Sequence, residues 1–99
     1  MATVGSKDEA LALLRTLKPD LAEQFMVSQI GIFGSVARDE AHQDSDIDVV
    51  VHMQPDMLKR VRLKAELEKA LGRKVDVVRY RDSMNPYLKA RIDREAIYV

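Results

Sequence analysis

Residues 27–53 read VSQIGIFGSVARDEAHQDSDIDVVVHM, and two apolar runs in this stretch decide the fold. The first, Val27 to Phe33, predicts a buried strand that stops at Gly34-Ser35. The second, Ile47 to Met53, carries Val49-Val50-Val51 at its centre and is the strongest strand pattern in the chain. Between them, Val36 to Ala41 predicts a short helix launched by the Gly34-Ser35 turn, and His42 to Ser45 a polar loop. Asp46 and Asp48 open the second strand, and residues two apart on a strand face the same way. If the two strands run antiparallel, the Gly-Ser turn and the carboxylate pair meet at one edge of the sheet.

Working outward, Gln54-Pro55-Asp56 ends the second strand and starts a helix to about Leu71, with Gly72 as its C-terminal cap. Lys74 to Arg79 holds a third strand, Val75-Asp76-Val77-Val78. A helical crossover of this length lays the third strand parallel to the second, which brings Asp76 beside Asp48. Towards the N-terminus, Ser6-Lys7-Asp8-Glu9 is a capping box, and a helix is expected over residues 7–17. Lys18-Pro19-Asp20 is expected to break it, with a short second helix over residues 21–25. Asn85-Pro86 opens a last helix carrying Leu88, Ile92 and Ala96. The expected fold class is α/β (α+β): one domain over residues 1–99, with a small mixed sheet of three or slightly more strands flanked by about four helices.

Three carboxylates in one place need a partner. Two ionised ones at ~5 Å repel by about 3 kcal/mol at an effective dielectric near 20. Either one stays protonated or a cation lies between them. Mg²⁺ suits an all-oxygen site that also holds phosphates, and two such ions would activate an attacking hydroxyl and steady a leaving pyrophosphate. Gly34 lets backbone amides approach a phosphate and Ser35 adds a hydroxyl donor. Arg38, one helical turn beyond Ser35, is within reach of a phosphate. His42 and Asp44 read as loop surface and His52 as core or edge packing. Tyr80, Tyr87 and Tyr98 read as partly buried.

Composition narrows the remaining choices. The chain has 99 residues, an apolar fraction of 46% and no cysteine, which argues for a packed globule without disulfides or thiolate metal sites. No apolar run approaches the ~20 residues of a membrane span, and the start lacks the order of a signal peptide. A cytoplasmic protein is expected. The net charge is zero, but residues 1–56 hold four Lys/Arg against ten Asp/Glu, and residues 57–99 twelve against six. Neither a net basic balance nor stacking aromatics point to a dedicated nucleic-acid groove.

Gly31 to Arg38, followed by Ser45 to Val51, resembles the minimal nucleotidyltransferases of the DNA polymerase β-like superfamily, the MNT antitoxins paired with HEPN-domain toxins. The resemblance implies ATP and Mg²⁺ as cosubstrates. Gly34 and Ser35, with Arg38, would contact nucleotide phosphates. Asp46, Asp48 and Asp76 would ligate metal, with Asp76 helping to take the proton from the attacking hydroxyl. The implied reaction is transfer of AMP to a tyrosine of a partner HEPN-type toxin. The chain departs from many relatives at Asp39, where they have glycine. Two other readings compete: a non-catalytic antitoxin that covers its toxin, and a transferase with an RNA or small-molecule acceptor. A homo-oligomer or hetero-complex is compatible with either.

Overall fold

In the computed structural model, residues 5–40 and 45–99 are described. The capping box forms as expected. Ser6 accepts from the Glu9 amide at 3.2 Å, and the Glu9 carboxylate accepts from Gly5 N–H at 3.3 Å. Helix α1 then runs from Lys7–Phe25 without interruption, with Pro19 inside it. The expected break at Lys18-Pro19-Asp20 does not occur. A proline in a helix interior costs about 3 kcal/mol. Ala10, Leu14, Leu21 and Phe25 lie on one buried stripe that crosses it, with Leu17 packed alongside. Burying Leu21 and Phe25 returns roughly 1.5–3 kcal/mol each, which outweighs the lost backbone bond.

The remaining elements are β1 (Gln29–Phe33), α2 (Gly34–Ala37), β2 (Ile47–His52), α3 (Met57–Leu71), β3 (Val75–Arg79), α4 (Pro86–Glu95) and β4 (Ile97–Tyr98). Asp56 caps α3 by accepting from Lys59 N–H at 2.9 Å, and Gly72 ends it in the left-handed conformation. Asn85 caps α4 through the amides of Tyr87 and Leu88. The sheet order is β3-β2-β1-β4. β1 is antiparallel to β2 and β4, and β2 is parallel to β3. Besides the unbroken α1, the departures from the expected elements are the fourth strand, the end of the last helix at Glu95 rather than Ala96, and the position of α2. That helix occupies Gly34–Ala37, where the sequence predicts one from Val36 to Ala41, and Ala41 lies outside the described residues. Gly31 explains how β4 closes on β1: a Cβ there would lie 3.0 Å from the Tyr98 Cα.

The two faces of the sheet are covered unequally. Ile30, Ile32, Ile47, Val49, Val51 and Val75 pack under α1 and α3 in the main core. Phe33 and Val50 face the other way, against Met84 and Ile92, beneath α4 alone. Asp48 and Asp76 share the α4 face by strand alternation, so both carboxylates lie on the thinly covered side.

After Arg38 the chain turns through Asp39 at φ 61°. This is the left-handed region that glycine occupies freely and aspartate only tolerates. Asp39→Gly is therefore expected to stabilise the domain by up to about 1 kcal/mol, measured as a shift in urea midpoint at unchanged slope.

Candidate active site

Register assembles the site. Phe33 pairs with Asp48, and Asp48 pairs with Asp76. Gly34, the residue after Phe33, therefore lies beside the Asp48 carboxylate. A Cβ on Gly34 would overlap Asp48 Oδ2, and would stand 3.1 Å from its Cγ and 3.3 Å from Arg91 Nη2. Gly34 also has φ 75°. Glycine is thus required twice over, by conformation and by space.

Asp48 is half-buried, whereas Asp46 and Asp76 are exposed. Burial pushes the Asp48 carboxyl above the usual carboxylate range, and the Asp76 charge adds to the shift. Arg91 opposes it, and Asp46 and Glu95 add smaller contributions in the same direction as burial. The other two carboxylates named from the sequence, Asp76 and Asp46, thus both act on Asp48. Among the described residues no three acidic or imidazole groups are gathered tightly enough to form a ready metal cage. The donor set still fits Mg²⁺ in kind: it is all oxygen, open to solvent, and leaves positions for substrate oxygens. Ser35 is half-buried at the start of α2. His42 and Asp44 lie outside the described residues.

The Arg38 guanidinium is already engaged. Its Nε donates to Glu40 at 3.1 Å and its Nη1 to Glu95 at 2.7 Å, so two carboxylates already hold it. Sequence reasoning did not single out Glu95 or Arg91, which α4 brings in. Glu95 Oε1 accepts from Gly34 N–H at 3.1 Å, and its other oxygen lies 3.8 Å from Arg91 Nε. The Arg91 guanidinium stands over the Phe33 ring, 5.7 Å from its centroid. The only sequence signal for this pair is its i,i+4 spacing, which reads as an ordinary surface ion pair.

Glu95 thus ties α4 to the Gly34 turn. Glu95→Ala is expected to cost about 1–3 kcal/mol by leaving the Gly34 amide without its acceptor. Glu95→Gln, which keeps that acceptor, should cost less. Urea unfolding of both variants checks the order.

At the far end of the same face, His52 stacks on Tyr80 with centroids 4.8 Å apart and contacts Tyr98 Oη at 2.9 Å. Tyr80 donates to Asp93 at 2.8 Å. His52 is a packing residue, as its strand position suggests. Tyr87 is not partly buried but 86% exposed.

A family model described as a nucleotidyltransferase domain matches residues 14–99. The chain belongs to the nucleotidyltransferases. It is 38% identical over 94 residues to the protein adenylyltransferase MntA of Thermococcus cleftensis, covering 93% of this chain and 94% of that one. A solved structure assigned as a minimal nucleotidyltransferase superposes with a TM-score of 0.75 at 36% identity, covering 93% of this chain and 94% of the other. A toxin–antitoxin complex with AMP-PNP contains a chain 28% identical with a TM-score of 0.66, covering 93% of this chain and 70% of that one. The expected enzyme class, a nucleotidyltransferase, therefore holds. So does the expected fold class, a small mixed sheet of three or slightly more strands with about four helices: the described residues form four strands and four helices. Among the described residues no helix is long and apolar enough to cross a membrane.

Proposed function

We propose that this nucleotidyltransferase transfers AMP from ATP to a tyrosine hydroxyl of a HEPN-type toxin in the cytoplasm, and acts as its antitoxin. The observation that carries the reading is the register that sets Asp48 beside both Asp76 and the Gly34 turn. The name of the Thermococcus relative and the toxin–antitoxin complex with AMP-PNP support the donor and the partner.

In this reading the Gly34 turn and Ser35 receive the phosphates of ATP, and Arg38 stays close by on its Glu95 anchor. Asp46, Asp48 and Asp76 would hold Mg²⁺, whose chemistry is to neutralise charge on the phosphates and leaving group. The acceptor oxygen attacks the α-phosphorus in line, forming the new P–O bond as the bond to pyrophosphate breaks. The phenolic proton passes to Asp76, the exposed carboxylate on the open side of the sheet. Positioning and charge neutralisation supply the rate, with no covalent intermediate on the protein.

The test is incubation with the toxin from the neighbouring reading frame, labelled ATP and Mg²⁺, followed by mass mapping. AMP on a toxin tyrosine is the expected result. Toxin neutralised without any gain in mass would sink the proposal.

A further inference from the structure

A groove of about 500 Å³ lies across the outer edge of β3, between the first turns of α3 and α4. Its lining includes Arg60, Arg79 and Arg81 and, among the described residues, no carboxylate. Met57, Val77 and Leu88 supply apolar walls. Met57, Leu58 and Val61 of α3 are all more than 60% exposed, an unusual run of large apolar side chains on a surface helix.

The floor of the groove has a defined polarity. Ile47 N–H donates to the Lys74 carbonyl, and Tyr80 N–H to the Val51 carbonyl, each at 2.9 Å. In a parallel pair this turns the even residues of β3 towards β2 and leaves the N–H and C=O groups of Val77 and Arg79 facing outward. Glu68 takes the outward amide of Val75 at 3.1 Å, so the edge is closed at its start and open from Val77 onward. Natural sheets usually cover or blunt such edges.

We infer that this edge receives an extended, acidic and apolar segment of the acceptor protein as an added strand. The inference rests on the adenylyl-transfer reading and supplies its docking surface. A strand paired along Val77 to Arg79 lies about 4.8 Å from β3 and ends one residue from Asp76. An acceptor side chain at that end stands on the face shared with Asp48. Three arginines select carboxylates on the incoming segment. A second copy of this chain does not fit, because pairing like edges sets the same arginines against one another.

The probe is a fluorescein-labelled octapeptide, Glu-Val-Glu-Val-Tyr-Glu-Val-Glu, with a counterpart carrying Lys for every Glu. Amide NMR of the whole chain should show the Glu peptide shifting Val77 and Arg79 and slowing their exchange. Arg60→Glu with Arg81→Glu should weaken peptide binding about tenfold or more and leave AMP-PNP binding unchanged. The single exposed Arg81→Glu serves if the double variant does not fold. Equal binding of the Lys peptide, shifts only elsewhere, single-stranded RNA displacing the peptide's signature, or self-association through these amides would each overturn the inference. AMP transfer to the toxin without peptide binding removes the docking edge alone. Peptide binding without any transfer supports the edge and overturns the transfer.

Discussion

Asp48→Asn is expected to abolish nucleotide transfer while making the metal-free domain more stable at neutral pH. In the proposed reading Asp48 would ligate the metal, so its loss would remove several kcal/mol of transition-state stabilisation, about a thousandfold or more in rate. The stability gain has a separate origin. Burial, then the Asp76 charge, hold the Asp48 carboxyl above its ordinary value, and Arg91 offsets only part of this. A carboxyl whose pKa is higher in the folded than in the unfolded chain binds its proton more tightly when folded. Its contribution is full below the unfolded value, about 3.9, and is lost as pH rises through the folded value. At neutral pH the native domain thus carries an ionised group that it disfavours, and asparagine relieves it. Thermal unfolding without metal should give a higher midpoint for Asp48→Asn at neutral pH, with the gap closing below about pH 4. A lower midpoint at neutral pH would mean that Asp48 holds the sheet together rather than paying for chemistry with stability.

Gly34→Ala should damage both fold and activity. The left-handed backbone adds about 1–2 kcal/mol for a residue with a Cβ, and the new methyl group meets the Asp48 carboxylate and the Arg91 guanidinium. Relief requires moving Asp48 or opening the turn. Either displaces the carboxylate from the Gly34 turn, and a shift of about 1 Å costs on the order of a hundredfold in rate. Urea unfolding and the initial rate of AMP transfer separate the two effects. Ser35→Ala, which changes neither backbone nor space, should retain the wild-type unfolding midpoint.

Much of this site is legible in the sequence because its parts are local. Gly34-Ser35 follows one strand, Asp46 and Asp48 begin the next, and a helix capped by Asp56 and Gly72 leaves little choice but a parallel third strand. Alternation alone then places Asp76 beside Asp48. What escapes depends on distant partners. Pro19 reads as a helix breaker until Leu21 and Phe25 are seen to share the buried stripe of Ala10 and Leu14. Ile97–Tyr98 is too short to announce itself and exists only because Gly31 admits it. Glu95 and Arg91 gain their roles from a contact 61 residues away in the chain.

Helix α4 fully buries a single residue, Ile92, whereas the opposite face rests on two helices with deep apolar stripes. Native-state breathing follows such inequalities. The segment that detaches first carries Arg91 and Glu95 away from the Gly34 turn while the α1/α3 half stays folded. Amide exchange should therefore report a dismantled catalytic centre well before global unfolding, so loss of competence and loss of structure in this domain are separate events.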